Sequence, residues 1–188
     1  ASDVQVRGTS ASPVLFSRDP PEGFNNACVV SLGGQIDYAH FSGVLPRLSG
    51  TVRDSLFDPR GNNGDRLWIR GSGAVFEHNE FENAEIRGSD FEIRANVFRG
   101  TGAGTAICLG TCSSGAESCQ GSRSDDPNVV VRNNVFVMDP SDDVIEIKRK
   151  YGPVDMSGNH FENGLPDPNA WDGVSTRGCA NDELGAYG

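Results

Sequence analysis

Apolar and polar positions alternate in short bursts along this chain. The stretches LWIR (67–70), AEIR (84–87), FEIR (91–94), VVVR (129–132) and IEIK (145–148) superimpose as apolar, variable, β-branched, basic. That is the period-2 pattern of a strand with one side turned inward. Gly, Asn, Asp or Ser punctuates the ends, which keeps each strand to about four residues. No long apolar stretch with i, i+3, i+4 spacing is present, so helical repeats are not expected.

A second pattern is interleaved with the first. EHNEFEN, RANVFRG, RNNVFVM and SGNHFEN share an Asn-x-Phe core ending at Phe81, Phe98, Phe136 and Phe161. DYAHFSG and RDSLFDP, ending their cores at Phe41 and Phe57, are weaker relatives. Short strands recurring with Asn turns and one aromatic each predict a solenoid. A leucine-rich solenoid would carry a Leu ladder, which this chain lacks. The expectation is an all-β parallel β-helix in which the Phe residues line the interior and the Asn residues bond turn backbone from coil to coil.

The pattern divides the chain, read as one domain, into an N-terminal cap region (1–27), coils (28–164) with a Cys-rich insertion (108–127), and a capping tail (165–188). Composition agrees with a narrow core: 24 of 188 residues are Gly and only 36% are hydrophobic. The formal charge of −10 argues against nucleic acid as a general partner, since phosphate binding requires a basic surface. No apolar run reaches the ~20 residues of a membrane span. The N-terminal residues ASDVQVRGTSAS carry no basic start followed by an apolar stretch, so no signal peptide is expected in this chain.

Cys28, Cys108, Cys112, Cys119 and Cys179 are the cysteines, and three of them fall in CLGTCSSGAESCQGSRSDD. Disulfides in a secreted or periplasmic protein account for this better than zinc, because no His lies in the cluster. An odd count leaves one thiol over unless it pairs with another chain.

The FEIRANVF and VVVRNNVF units resemble the right-handed parallel β-helix superfamily of pectate lyases, alginate and chondroitin lyases and related surface proteins, over most of residues 28–164. The resemblance implies a right-handed β-helix of about six to seven coils with irregular capping ends. Within it, DDVIEIK resembles the small family 3 pectate lyases. That likeness implies Asp142 and Asp143 as Ca²⁺ ligands, Lys148 as a substrate-binding or catalytic cation, and Asp125 or Asp126 as a further ligand. A looser likeness to alginate and chondroitin lyases implies Glu146 as ligand and Lys150 as base, with Arg177 only holding the place of a later Arg.

The chemistry suits those residue types. On a strand from Val144 to Lys150, Ile145 and Ile147 face one side while Glu146, Lys148 and Lys150 face the other. Arg132, and with it Arg94 and Arg87, is expected in the same outward neighbourhood. Elimination from a uronic acid needs its carboxylate neutralised, by Ca²⁺ on Asp and Glu oxygens with an Arg assisting. A Lys among other cations can then have its pKa lowered enough to act as base. Lys148, Lys150 and Arg132 are thus the expected catalytic set, and Arg94, Arg149 and His160 the substrate-binding set.

A plainer use of the same residues is a solvated ladder, because Glu85/Arg87, Glu92/Arg94 and Glu146/Lys148 repeat one pattern. His40, His78 and His160 are expected as solvated turn residues. Trp68 and Trp171 are candidates to stack on sugar rings. Two functions remain: a secreted Ca²⁺-dependent lyase of an anionic polysaccharide, or a non-catalytic β-helix that binds carbohydrate or a surface partner. A second chain completing the solenoid is a further expected partner.

Overall fold

A computed structural model describes residues 4–17, 29–59, 67–89, 92–100, 106–109, 130–137, 145–147, 155–162 and 174–175. Among them are 18 strands and no helix. Numbered in chain order, they fall on three faces. The first holds β3 (Val29–Leu32), the opening halves of β6 (Leu45–Arg53) and β8 (Leu67–Glu77), β10 (Ala84–Ser89), β13 (Ile107–Leu109), β16 (Ile145–Ile147) and β18 (Val174–Ser175). The second holds β1 (Val4–Arg7), β4 (Gly34–Asp37), the closing halves of β6 and β8, β11 (Glu92–Arg94) and β14 (Val130–Arg132). On the third lie β2 (Val14–Ser17), β5 (Ala39–Ser42), β7 (Leu56–Asp58), β9 (Glu80–Glu82), β12 (Val97–Arg99), β15 (Val135–Val137) and β17 (His160–Glu162).

The chain visits second, third and first faces in rotation, and each strand pairs in parallel with the one laid down a turn earlier. Because β6 and β8 run around the corner unbroken, the first two faces form one sheet and the third a separate one. Parallel strands wound this way make a parallel β-solenoid. Two segments expected to cap the ends also contribute rungs: β1 and β2 pair with β4 and β5, and β18 pairs with β16.

Residue type repeats along the axis because register is held rung after rung. Phe16, Phe41, Phe57, Phe81, Phe98, Phe136 and Phe161 form one continuous stack, with ring centroids 4.6 to 5.0 Å apart and planes within 16°. Those from Phe41 to Phe136 are at most 1% exposed. Burying each contributes about 2–3 kcal/mol, and its offset neighbours add about 1 kcal/mol. Ile69, Ile86, Ile107 and Ile145 line the first face inside, and Ile36, Val52, Phe76, Ile93 and Val131 the second. The core is therefore a column, not a ball.

The corner between the second and third faces is built from one residue in the left-handed region per rung: Tyr38, Asp54, His78, Ala95, Asn133 and Gly158, all with φ between 51° and 68°. Directly after this column comes the Asn ladder that the repeat predicts. Asn79, Asn96, Asn134 and Asn159 each donate through Nδ2 to a second-face carbonyl, of Val52, Phe76, Ile93 and Val131 respectively. Each also accepts, on Oδ1, the backbone N–H of the ladder residue before it. At the next rung up, Ser55 Oγ does the same for Ala39 at 3.0 Å. Backbone groups that a turn would leave orphaned are thus satisfied inside the column.

Candidate functional site

On the outward side of the second face, register aligns Arg7, Asp37, Arg53, Glu77, Arg94 and Arg132. Signs alternate over the first five, and neighbours pair. Arg53 Nε lies 3.3 Å from Asp37, Arg94 Nε 3.2 Å from Glu77, and Arg94 Nη1 donates to Glu92 at 2.7 Å. Arg94 Nε is not aligned to donate to Glu77, so that contact is an ion pair without a hydrogen bond. Arg132 stands 3.6 Å from the same Glu92. At the last rung, Asp155 bridges to Val130, and its carboxyl sits below the ordinary aspartate value. The causes, in order, are hydrogen bonds from the Ser157 hydroxyl and backbone N–H, then the charge of Arg132. This column neutralises itself.

Glu146 is elsewhere. Ile145 pairs with Ile107, and Ile107 with Ile86, so Glu146 takes the register position of Cys108 and Arg87 on the first face. IEIK is therefore out of step with AEIR by two residues, contrary to the superposition expected from the sequence. Arg87 in turn aligns with Arg70 and Arg70 with Arg47, giving a row Arg47, Arg70, Arg87, Cys108, Glu146, Ser175. Arg94 and Arg132 share a column with each other but lie on a different face from Glu146. A four-residue motif fits either face equally well, which is why it did not separate them. Asp125, Asp126, Asp142, Asp143, Lys148, Arg149 and Lys150 lie outside the described residues. So do Arg177 and, apart from Cys108, the cysteines.

The third face holds a cluster that sequence reasoning missed. His40 projects from β5, expected to be solvated, yet its Nε2 is 2.6 Å from Asp58 Oδ2, with side chains 16% and 3% exposed. Ser42 donates to the other oxygen, Oδ1, at 3.0 Å. The signal was faint: Asp58 follows Phe57 as Ser42 follows Phe41, and register places them side by side. A carboxylate this buried would be costly alone, and the His and Ser donors offset that cost. The Ser bonds to the Asp and not to the His, so the arrangement is not that of an activated serine nucleophile. His160 remains exposed on its strand, 3.6 Å from Glu162, and His78 is exposed at its corner. Among the described residues no group of three or more His, Cys, Asp or Glu is placed to hold a metal ion, and no helix is long and apolar enough to cross a membrane.

Comparison with protein-family models, with curated proteins and with solved structures gave no match.

Proposed function

We propose that this chain is a secreted, right-handed parallel β-helix of about six to seven coils that binds an anionic, uronic-acid polysaccharide on its first face and cleaves it by Ca²⁺-assisted β-elimination. The observation that carries the reading is the row Arg47, Arg70, Arg87 leading to Glu146 on one face. Three like-charged positions at successive rungs, about 4.8 Å apart, repel one another. The second face alternates its signs from Arg7 to Arg94, and its one adjacent like pair, Arg94 and Arg132, shares Glu92. A polyanion laid along the axis would relieve the repulsion and present one carboxylate after another to the row.

Glu146 lies two rungs beyond Arg87 in that row, past Cys108, and the stretches Asp142–Asp143 and Lys148–Lys150 flank it in sequence. In the proposed chemistry Asp142, Asp143 and Glu146 hold Ca²⁺, with Asp125 or Asp126 as an additional ligand. Bound there, Ca²⁺ would neutralise the substrate carboxylate. Lys148 or Lys150 would take the proton on the adjacent carbon, the C–O bond to the leaving sugar would break as the C=C bond forms, and water would give the leaving oxygen its proton. A second reading, a non-catalytic β-helix that binds carbohydrate or a surface partner, draws support from the paired charges of Arg94 and Arg132.

The test is incubation with polygalacturonate, alginate and chondroitin sulfate, following the ultraviolet absorbance of an unsaturated uronate, with Ca²⁺ and with chelator. Absorbance that rises with Ca²⁺ and fails in Lys148→Ala supports the lyase. A flat trace from folded protein that still binds polygalacturonate, with affinity lost in Arg47→Ser but not Arg94→Ala, leaves the binding module alone. Loss of neither binding nor turnover in Arg47→Ser would remove the first face from the proposal.

A further inference from the structure

A recess of about 390 Å³ lies along the corner between the second and third faces. Two short columns bound it. Asp54, His78 and Ala95 come from three successive positions of the left-handed corner, and Leu56, Glu80 and Val97 are successive partners in the third-face register. The two columns run over three rungs, so their length is about 10 Å at the spacing of parallel strands. The Asn ladder behind them ties both walls to the column.

Ala95 is the position that opens the recess. Left-handed backbone favours Gly, Asn, Asp and His over residues with a plain Cβ. His78, Asn133, Asp54 and Gly158 follow that preference, whereas Tyr38 at φ 53° and Ala95 at φ 55° do not, and of these two Ala95 is the one that lines the recess. An Asn or His there would be conformationally better and would project into the space. A local preference broken where it creates a cavity is a pointer to use.

The geometry points to a binding site for one neutral pyranose ring, independent of the first-face row. Leu56 and Val97, both half-buried, offer apolar surface to the C–H face of a sugar. Asp54 and His78 are exposed above them, and Glu80 is held by Arg99 Nε at 2.8 Å. Hydroxyl groups donate well to carboxylates, and an imidazole can donate or accept. Two carboxylates at the rim disfavour an anionic sugar, so the ligand class differs from that proposed for the first face.

The test is an NMR titration of the full chain with methyl glucoside, methyl galactoside and methyl mannoside, and with methyl galacturonoside as the anionic comparison. Saturable, millimolar shifts centred on the Asp54, His78 and Ala95 amides, for at least one neutral glycoside, are expected. Ala95→Asn is expected to abolish them while melting no lower than the parent, and Asp54→Asn to weaken them several-fold. Absence of saturable shifts, or their survival in Ala95→Asn, would overturn the site. Tighter binding of the galacturonoside would overturn the ligand class. Neither result depends on lyase activity.

Discussion

Asn96 and Asn134 are 38 residues apart in sequence and one rung apart in space: Asn96 Nδ2 donates to Asn134 Oδ1 at 3.0 Å. The same oxygen accepts the Asn96 backbone N–H at 3.0 Å, while Asn134 Nδ2 donates to Ile93 O and to Asn159 Oδ1. Asn134 is fully buried. Asn134→Ala therefore leaves donors and acceptors stranded on both adjacent rungs, at a cost of roughly 3 kcal/mol. Asn134→Ser should recover part of this, since Ser55 already serves as an acceptor in the same column. Urea unfolding midpoints of the two variants check the order.

The Phe stack grades from centre to end. Phe98 is 1% exposed between two rings, whereas Phe161 is only half-buried and stacks on Phe136 from one side. Phe98→Ala should cost about 3–5 kcal/mol, the usual range for a buried aromatic. Phe161→Ala should cost less than half as much. Thermal melts that rank the two equally would contradict a core built as a column.

The stacking residues were legible in sequence because equivalent rungs repeat residue type: Phe81, Phe98 and Phe136 each follow Asn by two. Phe16 was hidden, because its rung carries no Asn and is reached only through Phe41. The candidate site was legible in residue type but not in placement. IEIK and FEIR look alike, yet their register depends on β13, whose ICL has no basic residue and whose Cys108 was assigned to the Cys-rich insertion. His40 and Asp58 were illegible for the opposite reason. Their pairing occurs at a single rung, so no repetition announces it.

Asp58 accepts from both His40 and Ser42 while almost fully buried. Removing it strands two donors, so Asp58→Ala should destabilise by about 2 kcal/mol, and Asp58→Asn by less because one acceptor survives. In a double-mutant cycle with His40→Ala, the two losses should sum to more than the double variant shows, since the cost of stranding His40 vanishes once it is gone. Strict additivity would mean the contact carries no energy.

Asp155 offers a pH signature. Its carboxyl lies below the ordinary value chiefly because Ser157 donates to it twice, through Oγ at 2.7 Å and the backbone N–H at 3.0 Å. A folded pKa below the unfolded one means that the contribution to stability is complete above the unfolded value. It is lost as pH falls through the folded value, a window below about pH 4. Ser157→Ala should raise the Asp155 pKa towards normal, with the backbone bond holding it partway. A carboxyl-carbon NMR titration reads this directly, and an unchanged midpoint would mean the hydroxyl does not act on it.

Two glycines at the corner between the first and second faces share a left-handed conformation but not an environment. Gly50 has φ 86°, and a Cβ there would press on Gly34 backbone, 2.7 Å from its nitrogen. Gly73 has φ 64°, and a Cβ there would meet nothing. Gly73→Ala should cost only the left-handed backbone penalty, about 1 kcal/mol. Gly50→Ala adds a collision with backbone that cannot turn away, because Gly34 and Gly50 lie on strands paired through Gln35–Thr51 and Ile36–Val52. The rungs would have to separate locally, so the loss should be several times that of Gly73→Ala. Hydrogen exchange adds a positional check: faster exchange at Ile36 and Val52 in Gly50→Ala, but not in Gly73→Ala, would locate the damage between those rungs. Equal losses in the two variants would mean that φ alone, and not the close approach of the backbones, sets the requirement for glycine.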